Sequence, residues 1–92
     1  MNLDEWIKEV DNHNQIMATV FNDRKILKNS MEEFLKSYFD FQDIEFSSDL
    51  KVITLSFKYE ATILNESIGD FPLDYKIDFY RSAIEVYPFG VD

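Results

Sequence analysis

Between Ile53 and Ile63 every second residue is apolar: Ile53, Leu55, Phe57, Tyr59, Ala61 and Ile63 share one parity, and Thr54, Ser56, Lys58, Glu60 and Thr62 the other. A strand turns successive side chains to opposite faces, so this pattern predicts a β-strand with one face on a core and one toward water. Strands buried on both faces read as continuous apolar runs, whereas clean alternation fits an antiparallel sheet with an open face. The same period recurs on either side. Ile44 and Phe46 alternate with Glu45 and Ser47 ahead of a turn at Ser48-Asp49. After a loop from Asn65 to Asp70 and then Pro72, Leu73, Tyr75, Ile77 and Phe79 alternate with Asp74, Lys76, Asp78 and Tyr80. A short turn near Arg81-Ser82 leads to Ala83–Tyr87, where Ile84 and Val86 oppose Glu85 and Tyr87.

The N-terminal part follows a different period. Leu3, Trp6, Ile7 and Val10 fall on one face of a helix, with Asn2 placed to cap it and Asp4 and Glu5 suited to its positive end. The polar cluster Asp11-Asn12-His13-Asn14 predicts its end. Gln15–Asn29 satisfies both periods: Ile16, Met17, Val20 and Phe21 make a helical stripe, yet Ile16, Ala18 and Val20 also alternate with Met17, Thr19 and Phe21. Helix is the preferred reading there, and a hairpin turning at Asn22-Asp23 the alternative. Ser30-Met31-Glu32-Glu33 has the spacing of a capping box and predicts a helix starting at Ser30. That helix would carry Met31, Phe34, Leu35 and Tyr38 inward, pair Glu32 with Lys36, and end near Phe39.

Helices first and strands after predict an α+β domain: N-terminal helices on a three- to four-stranded antiparallel β-meander, residues 1–92 forming a single domain. Trp6, Phe34, Leu35, Leu55, Phe57, Ile77 and Phe79 are the expected shared core. At 92 residues, 46% of them hydrophobic and 16% aromatic, the chain has enough apolar material for one core and too much for a disordered acidic chain.

Several chemistries lack their residues. There is no cysteine, which excludes disulfides, thiolate metal sites and a cysteine nucleophile, and fits a reducing cytoplasm. Met1–Val10 has neither the cationic nor the apolar region of a secretory leader, so Asn65-Glu66-Ser67 reads as a chance match to a glycosylation sequon. No apolar run approaches the roughly 20 residues of a membrane span. His13 is the only histidine and is expected at the surface; Gly69 and Gly90 are the only glycines, too few for a phosphate-binding loop. Carboxylate pairs remain, but among 18 acidic residues a pair by itself points to nothing. No catalytic residue, metal ligand or cofactor is assigned, and the chain is not expected to be an enzyme.

The charge is the informative quantity. Eighteen acidic against nine basic residues give −9, spread over both halves of the chain. Such a field repels nucleic-acid phosphates and anionic lipid, which argues against direct nucleic-acid or membrane binding, and it accelerates encounter with a basic protein. Two stretches are candidate contact surfaces. Tyr38–Asp49 carries Asp40, Asp43, Glu45 and Asp49 and no base, with Phe39 or Phe41 as anchor. The second is the row Glu66, Asp70, Asp74 and Asp78, relieved by Lys76 and flanked by Glu60 and Glu85 if the fold brings them together. The plainer alternative is a solvated surface whose aromatics point inward.

The expected function is therefore that of a small acidic inhibitor, of the immunity, antitoxin or phage anti-defence kind. It would cover a basic surface of a partner protein, a nucleic-acid-binding protein being one such partner. The alternative is a structural or assembly subunit forming a homodimer through a sheet edge or exposed aromatics. A third reading, an enzyme or small-ligand protein with a pocket between helix and sheet, would remove much of the core at this length.

Overall fold

The computed structural model describes residues 2–15, 21–59 and 70–91. Two helices, α1 (Leu3–Gln15) and α2 (Phe21–Lys36), precede four strands: β1 (Asp43–Phe46), β2 (Ile53–Ser56), β3 (Asp74–Asp78) and β4 (Ala83–Tyr87). The protein is an α+β domain with helices N-terminal to a four-stranded antiparallel sheet.

Asn2 caps α1 as its sequence position suggests. Its Oδ1 accepts the Glu5 backbone N–H at 2.8 Å, and its Nδ2 donates to Glu5 Oε1 at 3.2 Å, closing the first turn from both sides. Trp6 and Val10 are buried one turn apart. The helix ends at Gln15, directly after the polar cluster Asp11–Asn14, near where the sequence puts its end. Asn14 spends its side-chain amide on the distant Asp49 carbonyl, at 2.9 Å, so a residue that locally favours a turn is held in the helix by a tertiary bond.

The departure is at Ser30. From Phe21 onward the chain is helical, so the hairpin alternative at Asn22-Asp23 is not adopted, and α2 passes through Ser30 without a break. The capping-box spacing is not used because the apolar stripe begins before it: Leu27, Met31 and Leu35, at successive intervals of four, are all buried on one face. Trp6 Nε1 donates to the Leu27 carbonyl at 2.8 Å, tying α1 to that stripe. Residues 16–20 lie outside the described residues. After Lys36 the Phe39 N–H still bonds to the Leu35 carbonyl at 2.9 Å, so the last turn reaches nearly where the sequence puts it.

The strand order is β1-β2-β4-β3, every neighbouring pair antiparallel. This is not the sequential meander expected from the order of the strands. β4 sits between β2 and β3, which therefore run in the same direction and cannot be joined by a hairpin. Burial accounts for the exchange. β4 buries Ala83, Ile84 and Val86 and takes an interior place, while β3, with Asp74 and Lys76 exposed, takes an edge where charge blocks pairing with other chains. The alternation from Ile53 to Ile63 is only partly used as strand. Pairing ends at Ser56, opposite Ala83, the first residue of β4; Phe57 is buried, Tyr59 is exposed, and Ala61 and Ile63 fall outside the described residues.

The register puts two apolar rows on the helix-facing side of the sheet: Ile44, Leu55, Ile84 and Ile77, then Phe46, Ile53, Val86 and Tyr75. Trp6, Leu35, Leu55 and Phe57 are buried as expected, and Phe34 and Ile77 pack against the core while partly exposed. Phe79 is not a core residue. β3 ends at Asp78, and Phe79 lies in the following turn, 43% exposed.

Candidate protein-binding surface

The same register defines the opposite, helix-free face. One row runs Glu45, Thr54, Glu85, Lys76; the next runs Asp43, Ser56, Ala83, Asp78; Asp74 lies opposite Tyr87. Asp43, Glu45, Asp74, Asp78 and Glu85 thus share one face with a single lysine. Strands lie about 4.8 Å apart and same-face neighbours along a strand about 6.7 Å apart. At these spacings Asp74 and Asp78 each lie roughly 8 Å from Glu85, about one Debye length, and Asp43 lies roughly 7 Å from Glu45, while the two groups stand about 10 Å or more apart across β2, so potentials add within each group and more weakly between them.

The cations of the fold do not cancel this face. Among the described residues the one ion pair is Lys36 Nζ to Glu32 Oε1, 3.7 Å, within α2. Four of the nine cations lie over aromatic rings instead: Lys28 over Phe46 at 5.7 Å, Lys51 over Phe89 at 5.2 Å, Lys58 over Tyr59 at 5.5 Å and Lys76 over Tyr87 at 5.8 Å. A quadrupole holds these ammonium groups without consuming a carboxylate. Lys76, directly opposite Glu85, is one of them. Glu85 Oε2 instead accepts the Tyr87 hydroxyl at 2.9 Å; partial burial first, and this bond to a carboxylate second, push the Tyr87 phenol above its ordinary pKa.

Edge protection alone does not account for the face. It explains acids on the edge strands β1 and β3, but Glu85 belongs to the interior strand β4, where no edge needs blocking.

The first predicted stretch is divided by the fold. Phe39 is 2% exposed and packs edge-on against Phe71 and Phe57, with ring centroids 4.9 and 6.5 Å away; it is a core residue and cannot anchor a partner. Phe41 is half-buried against the core, and Asp40 is exposed beside it. Asp43 and Glu45 project from β1 on the open face. Asp49 lies beyond the far end of β1, inside the β1–β2 turn, with its carboxylate engaged there. Of the second stretch, Asp74 and Asp78 join Glu85 on the open face, Asp70 is exposed ahead of β3, and Glu60 and Glu66 lie outside the described residues. His13 is not in a surface turn but in the last turn of α1, part-buried, with Nδ1 shielded and without a hydrogen-bond partner among the described residues.

Sequence reasoning missed the exposed aromatics of the β3–β4 hairpin. Tyr80 is 96% exposed at its tip, next to Phe79. The tip is well held. Arg81 N–H donates to Asp78 Oδ1 at 3.2 Å, Ser82 N–H to the Phe79 carbonyl at 3.3 Å, and Phe57 N–H to the Ser82 carbonyl at 2.8 Å, tethering the turn to the end of β2. Ser82 closes the turn at φ 53°, the left-handed region. The available signal was the pair Arg81-Ser82: a four-residue turn ending at Ser82 begins at Phe79, not at Arg81.

No group of three or more His, Asp or Glu residues among the described residues is arranged to hold a metal ion, and no described helix is long and apolar enough to cross a membrane. In comparisons with known proteins, the chain matches no family model, no curated protein and no solved structure.

Proposed function

We propose that this protein is a binding module that covers a basic surface of another protein, as small acidic inhibitors do. The observation that supports the reading is the open sheet face, where five carboxylates share one side with one lysine whose ammonium lies over a tyrosine ring. Aligned potentials of this kind raise the encounter rate with a cationic partner and disfavour anionic competitors. A rigid sheet also presents its side chains with little ordering on contact, which favours affinity.

The test removes charge without removing the fold. Asp43→Asn, Glu45→Gln, Asp74→Asn and Asp78→Asn combined leave every core residue in place. The unaltered chain should retain a stoichiometric protein from lysate at low ionic strength, less of it at high ionic strength, and the fourfold variant should retain none. Equal retention by both chains would refute the reading. The competing reading, a homodimer, predicts a doubled mass in analytical ultracentrifugation; the like charges along both sheet edges favour a monomer.

A further inference from the structure

We infer that the tip of the β3–β4 hairpin is the anchor of this surface: Tyr80, with Phe79 beside it, enters an apolar pocket of a partner protein whose rim carries lysine or arginine. The inference rests on the binding reading above and adds to it the point of entry and the chemistry of the receiving site.

Three observations carry it. First, Tyr80 contributes almost nothing to the fold: at 96% exposed it has no core contact to lose, and Phe79 is 43% exposed on the same turn. An aromatic pair held out in water gains on transfer into a pocket, and tyrosine is among the residues that dominate contact energies. Second, the tip is preorganised. The Asp78 carboxylate accepts the Arg81 N–H, and the Ser82 carbonyl accepts the Phe57 N–H, so the turn is fixed at both feet before any partner arrives. Ser82, a non-glycine residue at positive φ, is maintained by this surrounding structure. Third, charge selects the rim. The row of the open face nearest the tip carries Asp78 and, three strands away, Asp43; Arg81 in the turn and Lys58, next to the Phe57 bonded to Ser82, lie at the same end, so the pull on a cationic rim comes from the wider open face, Asp74 and Glu85 included. A lipid surface rich in anionic headgroups is repelled by these carboxylates, and so is a second copy of this chain; a cationic rim is attracted.

The full chain is produced with a photo-cross-linking phenylalanine analogue in place of Tyr80, and separately in place of Ile26, an exposed apolar residue on α2 that is 56% exposed. Both are irradiated in the cells that make the protein. The expected result is an adduct with another protein from position 80 and little from position 26. The adducted peptide should line an apolar depression bordered by lysine or arginine. With that purified partner, Tyr80→Ala should weaken binding by roughly 30-fold or more and Tyr80→Phe by much less, since ring burial dominates at such anchors. Neither variant should move the thermal midpoint by more than a few degrees. Adducts from position 26 but not 80 overturn the inference while the binding reading stands. Adducts to lipid or to a second copy of this chain overturn it too. No adduct at either position, with no protein retained in the charge test, overturns both.

Discussion

The two hairpin turns of the sheet use the same local solution for opposite ends. In the β1–β2 turn Leu50 takes φ 62°, and in the β3–β4 turn Ser82 takes φ 53°, both non-glycine residues in the left-handed region. In each, an aspartate carboxylate accepts a backbone N–H ahead of the strained residue or beside it: Asp49 from Lys51 at 3.1 Å, Asp78 from Arg81 at 3.2 Å. What surrounds the turns differs. The first is gripped by both helices, Asn14 reaching the Asp49 carbonyl and Arg24 donating from Nη1 to the Ser48 carbonyl at 2.6 Å and from Nη2 to that of Ser47 at 3.3 Å. Its Leu50 is completely buried. Among the described residues the second is tied only to the end of β2, and it holds Tyr80 out in water. Strain in the first turn is offset by core burial inside the same molecule. In the second turn the fold gains no such burial, and a partner can supply it.

The comparison breaks most sharply at its buried residue. Leu50→Ala should destabilise the fold by about 2–5 kcal/mol, because a fully buried leucine leaves both lost transfer energy and a cavity; denaturant titration measures it, and a loss below about 1 kcal/mol would show that the turn is not part of the core. Arg24→Ala removes two bonds to turn carbonyls and should cost about 1–2 kcal/mol. If it changes nothing, the helical grip is incidental.

Asp49 gives the turn a pH dependence. The Ser47 hydroxyl, 2.7 Å away, and then the Lys51 N–H favour the ionised carboxylate and hold it below its usual pKa. The contribution of Asp49 is therefore complete above its unfolded value of about 3.9 and disappears as pH falls through the lower folded-state value. Asp49→Asn should make the loss of stability on acidification shallower, seen as thermal midpoints followed from neutral pH to below pH 4. An identical profile would remove the carboxylate from the account.

The smallest effects belong to the exposed turn. Ser82→Gly relieves the left-handed strain and should stabilise by up to about 1 kcal/mol, less the extra freedom gained by the unfolded chain. Tyr80→Ala should change stability by less than about 0.5 kcal/mol. In a domain of this length 1 kcal/mol moves the midpoint by roughly 4–8 °C, so calorimetry resolves the larger of these effects. A large loss from Tyr80→Ala would make the two turns alike and leave the hairpin tip a structural element.

Much of the fold is legible in the chain. The 3.6-residue stripe of α1, the Asn2 cap and the alternation of β1, β2 and β4 are all there, since each depends on residues close in sequence. The boundaries are less so. Ser30 carries a strong start signal that the Leu27–Met31–Leu35 stripe overrides. Of the candidate contact residues, Asp43, Glu45, Asp74 and Asp78 reach one face because each has the outward parity of its own strand. Phe39 does not: it continues the four-residue spacing of Leu27, Met31 and Leu35, and its ring fits between Phe57 and Phe71.

Net charge, the missing chemistries and the inward or outward parity of each strand are properties of residues taken singly or with their near neighbours, and the sequence determined them alone. Which strands stand side by side is set by how much apolar surface each must bury against the helices, a competition among distant segments. That competition placed β4 inside and β3 at the edge. Only there did acids from three separate strands become one face and Tyr80 become a tip.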